Sequence, residues 1–383
     1  MSTWGHSSAG WRRHPGPLMY RLIKSVADAV VRRLAQARPA WHDGPAEQSF
    51  AAQPSYQPTP PANFAALPTA LRRRFAAPVP LPAHRVYQLR NVHVTWDGAV
   101  FQNLRVFGPS VVQPGFVGRF QDTLLLRQWL GCKVPVAIVA VCHDQWSVEN
   151  YYHWLIDTLP RLLVLRQLHP GMLLLLPQPL PPRARPDYLA RSAAALGFSN
   201  YLAVDAAHVV RAGTVVLPAL TAPSLGQHPA LVRQVRAELL AALAPVPLPA
   251  TRKIYAARRQ GGVRGLVNGM AVEALLAEAG FEKVYFEDLT FLEQIVLMRT
   301  TTVLLGIHGA GMANMLFLPE TARVAELLNA DHGDPCYGRL AACLGLTYFC
   351  LPATGTQPAL QNQSDLVVDV ALLRQTLRLV LET

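Results

Sequence analysis

Between residues 253 and 351 short apolar runs alternate with amphipathic stretches of helical length, at 253–257, 270–279, 283–286, 291–298, 302–307, 310–317, 323–327, 336–344 and 347–351. Strands separated by helices cannot pair as tight hairpins. Each helix must cross over the sheet, so the pattern dictates parallel strands with helices packed on the faces, a doubly wound α/β domain. Residues 366–381 follow with apolar positions at helical spacing and predict a terminal amphipathic helix.

The first half is less regular but of the same class. Residues 86–95 and 100–106 flank Asp97-Gly98 and have the composition of a β-hairpin. The continuous apolar run 134–141 suits a strand buried on both faces. Beyond it the pattern predicts a helix over 150–168, a strand at 172–176, a helix at 188–196, strands at 201–204 and 214–217, and a helix over 229–243. The Pro-rich stretch 244–249 marks an interdomain hinge. The expected organisation is an extension over 1–83, a first α/β domain over 84–245, a second over 246–355, and a terminal helix over 356–383 that packs back across the domains.

Apolar residues make up 51% of the 383-residue chain and charged residues 15%, which excludes a wholly disordered protein and leaves room for two domains. The charge balance is 35 − 24 = +11, and it is uneven. Arg12, Arg13, Arg21, Lys24, Arg32, Arg33 and Arg38 face Asp28 alone in the first forty residues. Such a balance suits polyanions, whether nucleic acid, anionic lipid or diphosphate, without choosing among them, and no nucleic-acid binding is inferred from it. Leu18, Leu22, Val26, Val30 and Leu34 form one helical row among those cations. Residues 17–37 therefore read as an amphipathic basic helix, which either docks on an anionic membrane or packs on the body of the protein, and 38–83 as a linker or a wrapped extension. Five cysteines without a C-x-x-C argue against a disulfide framework or zinc ribbon. No apolar run is long enough to span a membrane and the first residues do not resemble a cleaved leader, so the expected location is the cytoplasm, at the membrane's inner face if the basic helix docks.

Three constellations carry chemistry. An apolar strand at 302–307 runs into His308-Gly309-Ala310-Gly311 and then a helix holding Asn314. Small residues let backbone approach a ligand there, and the first helical amides with the positive dipole end suit a phosphate. The same glycines would serve tight packing; His308 could equally be a satisfied core histidine, and Asn314 a cap. Glu326 ends the next strand, where a carboxylate can accept from a ribose diol. Arg258 and Arg259 follow the domain's first strand, with Arg264 and Asn268 leading into its first helix; the arginines offer guanidinium groups to phosphate oxygens, or the stretch forms a solvated loop. The third set lies in the first half, where His153, Asp157 and Arg161 fall in one helical row. A carboxylate that fixes an imidazole makes a general-base pair, or an ordinary buried ion pair. Pro160 is expected to kink that helix. His143 and Asp144 with His153 and Asp157 offer acceptable metal-ligand types, but at uncertain distance and with no further carboxylate.

Taken together, Asn150–Leu162 (NYYHWLIDTLPRL), 258–268, 289–294 (LTFLEQ), 306–318 (GIHGAGMANMLFL) and 323–327 resemble the successive motifs of glycosyltransferase family 61, in order, over roughly residues 85–355. The resemblance implies a GT-B architecture, two Rossmann-like domains facing across a cleft with the basic Pro-rich extension in front. It implies an inverting, metal-independent transfer of a hexosyl, N-acetylhexosaminyl or pentosyl group from a UDP-sugar to a glycan or lipid-linked acceptor, with bacterial relatives in capsular and other surface polysaccharide synthesis. No cofactor is expected beyond the donor. Carried onto this chain, the donor site comprises Asn150, Arg258, Arg264, Asn268, His308, Gly309, Ala310, Gly311, Asn314 and Glu326, and the base is His153 or Asp157. The absence of any Asp-x-Asp pair leaves the leaving group's charge to arginines and a helix end. Two positions depart from the family pattern: Asn268-Gly269 stands where Asn-Glu is common, and Pro319-Glu320-Thr321 where Pro-Gly is. The first keeps open a non-catalytic nucleotide-sugar-binding or assembly subunit.

Overall fold

A computed structural model describes residues 40–48, 53–113, 115–116, 132–178, 186–259 and 264–382. The basic segment 17–37 lies outside the described residues. Two sheets carry the fold. The first is mixed and contains β1 (Ala46–Gln48), β4 (Arg85–Thr95), β5 (Val100–Gln102), β6 (Arg105–Val106), β7 (Cys132–Ala140), β8 (Leu174–Pro177), β9 (Tyr201–Val204) and β10 (His208–Pro218). Its order is β6-β5-β4-β10-β7-β8-β9, with β1 added on β4. Strands β10, β7, β8 and β9 are mutually parallel, whereas β4 runs antiparallel to β10 and β5. The expected hairpin turn is present: Gly98 sits at φ +85°, and Gly98 and Thr95 close the loop by a backbone bond of 3.0 Å.

The second sheet contains β11 (Arg252–Ala256), β12 (Glu282–Val284), β13 (Thr301–Ile307), β14 (Arg323–Asn329), β15 (Thr347–Gly355) and β16 (Leu366–Val367), in the order β12-β11-β13-β14-β15-β16. All but β16 run parallel, as the alternating pattern requires. The chain leaves β11 in one direction to β12 and later returns on its other side with β13, so strand order reverses between β11 and β13. In open α/β sheets ligands bind beyond the carboxyl ends of the strands at such a switch point.

Side chains alternate across each strand. Tyr255, Val303, Leu305, Ala325 and Phe349 therefore face a core closed by two helices, α5 (Gly269–Glu278) and α8 (Val370–Glu382). Ile254, Leu304, Val324 and Tyr348 face the opposite way, into a core shared with Trp154, Leu162 and Val216 of the first half. The buried residues of α8, Leu373, Leu377 and Val380, join the second sheet's own core, where a return across both domains had been expected.

Helices α1 (Thr69–Phe75), α3 (Asp187–Ala195), α4 (Pro229–Leu243), α6 (Phe291–Arg299) and α7 (Cys336–Leu344) complete the described set with a composite helix, α2. Segments Tyr151–His153, Trp154–Thr158 and Leu159–Leu168 form α2, the middle one being π-helical. Pro160 supplies the reason: its ring nitrogen cannot donate to the carbonyl four residues back. The ladder widens just before it, with the amide of Leu159 donating to Trp154. Residues 40–48 and 53–83 pack along both sheets. Trp41 bridges to Phe107 and β1 pairs with β4, after which Ala62 donates to the carbonyl of Tyr348 at 2.7 Å and Asn63 exchanges two bonds with Cys350. Strands β2 (Gln53–Tyr56) and β3 (Val79–Leu81) form a separate two-stranded ribbon.

Candidate functional site

A pocket of 440 Å³ opens at the carboxyl ends of β11, β12 and β13, within the range of small-molecule sites. Its walls come from Ala257 and Arg258 after β11, Phe286 and Glu287 after β12, and Gly309–Gly311 after β13, while Tyr151 and Tyr188 close it from the first half. This is the switch point of the second sheet.

The glycines have separate tasks. A Cβ on Gly306 would lie 2.7 Å from Met312 Sδ and 2.9 Å from the Cβ of Ala256, so this residue lets β11 and β13 approach. A Cβ on Gly309 would lie 3.0 Å from Arg258 Nη1. That guanidinium crosses the turn and donates to the carbonyl of His308 at 3.2 Å. The following residues Ala310–Phe317 are 3-10 helical, where a regular helix was expected, and the amides of Ala310 and Gly311 open that segment, where no upstream carbonyl is provided for them.

The cations near the pocket differ in a decisive respect. Arg259 is neutralised by Asp288 at 2.5 Å and Glu287 at 3.4 Å. Among the described residues Arg258 and Arg264 have no ion pair. Burial, and then the neighbouring charge of Arg264, hold the Arg258 guanidinium below its usual value. Arg264 itself sits at φ +64°, outside the usual range for a non-glycine residue, and its buried Nε lacks a partner. Two uncompensated guanidinium groups repel each other in a partly desolvated site, and an anion between them removes that cost.

The side chains behind this wall form two imidazole–carboxylate pairs. His308 Nδ1 lies 2.6 Å from Glu326 Oε1, and the hydroxyl of Tyr348 donates to Glu326 Oε2. His153 Nδ1 lies 2.6 Å from Asp157 Oδ2, with the imidazole against Trp146 at 4.7 Å between ring centroids. Burial raises the Asp157 carboxyl above its ordinary value, and the bond from His153 opposes that rise. A row of edge-on rings, His153–Tyr152–Tyr337–His308 at 5.1, 5.3 and 5.0 Å, joins the two pairs across the junction of the halves.

Residues 151–325 match the family model Glycosyltransferase 61. Over that stretch, just under half of its length, the chain resembles glycosyltransferase family 61. An EGF domain-specific O-linked N-acetylglucosamine transferase of Drosophila melanogaster is 43% identical over 68 residues, 18% of this chain and 13% of that protein. The proteins of the same name from Canis lupus familiaris and Rattus norvegicus are 36% identical over 83 residues and 40% over 63, covering 22% and 16% of this chain. The matched stretches span only 12% to 15% of those relatives' own lengths.

In this chain the expected site residues fall into three groups. Arg258, Gly309, Ala310, Gly311 and Asn314 line the pocket, and Arg264 lies beside Arg258. His308, His153 and Asp157 stand behind the wall, in the two pairs. The remainder hold the fold. Asn150 caps α2 by accepting from the amide of Tyr152, and Asn268 ties α5 to the chain before α8 through two bonds to Val368. Glu326 is fully buried with both oxygens engaged by His308 and Tyr348, so in this arrangement it orients the imidazole rather than meeting a ribose. Asn314 is also saturated: it accepts from Tyr151 at 2.8 Å and donates to Gln294 at 2.9 Å and to the carbonyl of Gly311 at 3.2 Å, stapling the halves together. Arg161 leaves the His153–Asp157 row to bond Asp144 at 3.4 Å and the carbonyl of Pro218 at 2.9 Å. Asp144 accepts in addition from the amides of Trp146 and Ser147, and among the described residues no three His, Cys, Asp or Glu side chains gather as metal ligands.

Sequence reasoning assigned no role to Tyr151, Tyr188, Phe286 or Gln294 at the pocket. Tyr151 and Gln294 lie inside stretches read as motifs, which was the available signal. Phe286 owes its place to the end of β12 and Tyr188 to the docking of α3, and neither carries a local pattern. Among the described residues no helix is long and apolar enough to cross a membrane.

Proposed function

We propose that this protein is a family 61 glycosyltransferase that moves a sugar from a UDP-activated donor to a hydroxyl of a glycan or glycoconjugate, by an inverting displacement that needs no metal. The observation that carries the reading is the unpaired Arg258–Arg264 couple at the switch point of a parallel sheet, beside a turn whose glycine admits the guanidinium. The two halves are read as the domains of a GT-B enzyme, the second holding the donor. The relatives are named for an O-linked transfer of N-acetylglucosamine, which makes UDP-N-acetylglucosamine the first donor to test and is consistent with a hydroxyl acceptor. Surface polysaccharide synthesis in the cytoplasm, with the basic segment 17–37 against the membrane, is the cellular setting we favour.

In this scheme the acceptor oxygen attacks the anomeric carbon as the bond from that carbon to the β-phosphate oxygen breaks, and the bonding pair departs with UDP. Arg258, Arg264 and the amides of Ala310 and Gly311 meet the charge that develops on the leaving oxygens. The acceptor's proton goes to an imidazole. His153 is our choice, because Asp157 on Nδ1 fixes the tautomer and leaves Nε2 to accept the proton, so that Asp157 is a positioning residue. Such a base contributes about 10²–10⁴ in rate.

A thermal-shift panel of UDP, GDP, CMP and ADP, followed by UDP release from UDP-N-acetylglucosamine with glycan acceptors, tests the proposal. Preferential stabilisation by UDP with turnover supports it. Stabilisation without turnover on any acceptor favours the non-catalytic binding subunit, and preference for another nucleotide overturns the donor assignment.

A further inference from the structure

We infer that Glu287, which follows β12 in the wall of the pocket, is the ribose ligand of the donor site, its carboxylate accepting from the vicinal hydroxyls while Arg258 and the glycine turn face the phosphates. The inference rests on the nucleotide-sugar reading, and its test separates the two.

Glu326 is buried with both oxygens engaged, so the diol lacks the partner that the sequence suggested for it. Among the described residues that line the pocket, Glu287 is the one carboxylate. It sits three residues past the end of β12, the strand beside β11. In nucleotide-binding α/β sheets a carboxylate beyond the end of the strand next to the phosphate turn meets the ribose hydroxyls.

Its placement is fixed relative to the phosphate wall. Gln294 Nε2 donates to the carbonyls of Phe286 and Leu289, both at 3.1 Å, and Gln294 Oε1 accepts from Asn314 at 2.9 Å. One side chain thus ties the turn that carries Glu287 to the segment that follows Gly309. Phe286 packs so near that segment that a Cβ on Gly311 would lie 3.1 Å from its Cδ2. Carboxylate and amides are therefore set at a defined spacing before a ligand arrives, which spares it the cost of ordering them.

Arg259 aims the carboxylate. Asp288 holds that guanidinium at 2.5 and 2.6 Å, and its Cζ lies 4.8 Å from the centre of the Tyr285 ring, so the cation is anchored independently of Glu287. Its contact with Glu287 is long, 3.4 Å to Oε1, and the glutamate side chain remains 51% exposed. Acceptor capacity is left on the carboxylate for a ligand. One arginine against two carboxylates also leaves a net negative charge, which repels phosphate and favours neutral O–H donors; a vicinal diol offers two.

Titration calorimetry of UDP, 2′-deoxy-UDP and inorganic pyrophosphate on the full chain, wild type against Glu287→Ala, tests the assignment. Wild type is expected to bind UDP roughly tenfold or more tighter than the 2′-deoxy analogue, because the analogue forfeits a hydrogen bond to a charged group. In the variant the two nucleotides converge to within about twofold, and pyrophosphate binds no more weakly than to wild type. Both nucleotides weakened in parallel, or a preference that survives the substitution, overturns the assignment, as does wild type that binds the two equally. Wild type that binds neither nucleotide overturns the nucleotide-sugar reading and the ribose ligand with it. Should Glu287→Ala fail to fold, Glu287→Gln, which keeps the shape and drops the charge, is expected to lower the preference by about threefold or more, and an unchanged preference overturns the assignment.

Discussion

Gly306 and Gly309 lie three residues apart, yet an alanine at each is expected to fail in a different way. At Gly306 the new Cβ meets Met312 Sδ at 2.7 Å, the Cβ of Ala256 at 2.9 Å and its carbonyl oxygen at 3.3 Å, so two hydrogen-bonded strands must separate. Overpacking of that kind costs about 1–3 kcal/mol. At Gly309 the backbone is extended, with φ 170°, and the new Cβ meets Arg258 Nη1 at 3.0 Å and Cζ at 3.3 Å, the far end of a flexible side chain. The guanidinium gives way by a few tenths of an ångström, so the loss of stability is smaller than at Gly306, where strand backbone must move. What suffers is the aim of Arg258. Charge-assisted hydrogen bonds contribute about 1.5–3 kcal/mol each, and partial misalignment of one guanidinium weakens UDP binding by roughly five- to thirty-fold. Thermal unfolding and UDP calorimetry on Gly306→Ala and Gly309→Ala separate the two effects. Wild-type UDP affinity in Gly309→Ala, or a loss of stability there matching Gly306→Ala, would refute the reasoning.

Asp157→Asn keeps the shape of the His153 partner but removes its charge; transfer falls by about 10²–10⁴ while UDP affinity is retained, and wild-type turnover in that variant removes Asp157 from the mechanism. Arg161→Met strands Asp144 in the core and destabilises the fold by about 3–5 kcal/mol, much of it recovered in the double variant with Asp144→Asn; an unfolding midpoint equal to wild type for the single variant contradicts the buried pair. His84, 3% exposed beside His228, is lowered to about 4 from 6.5, chiefly by burial. The folded state thus prefers its neutral form, giving stability that is complete above about pH 6.5 and lost as pH falls toward 4, worth about 3 kcal/mol at 1.36 kcal/mol per unit. In His84→Gln the acid slope of stability between those values becomes shallower; an unchanged slope assigns the acid sensitivity elsewhere.

The second sheet was legible because buried parallel strands are continuous apolar runs and each crossover helix leaves its own period. Strand β10 was read too short, as Thr214–Leu217, since Arg211 and Gly213 interrupt its apolar run; both are tolerated because the strand pairs on both edges with β4 and β7. The terminal helix was placed a few residues early for a local reason. Asp369 accepts from the amides of Ala371 and Leu372, a cap that separates β16 from α8. At the site, the arginines and the glycine turn could be read from strand ends alone. The fate of Glu326 could not: β14 is central, and only the register that sets Glu326 beside Gly306 turns its carboxylate to His308. Asn268 and Asn314 are equally silent in sequence, because their partners Val368 and Tyr151 lie 100 and 163 residues away.

A crystal structure of the protein with UDP tests the central claim most directly. The account predicts the diphosphate between Arg258 and Arg264, against the amides that follow Gly309. UDP bound elsewhere, or a diphosphate turned away from both arginines, would contradict it.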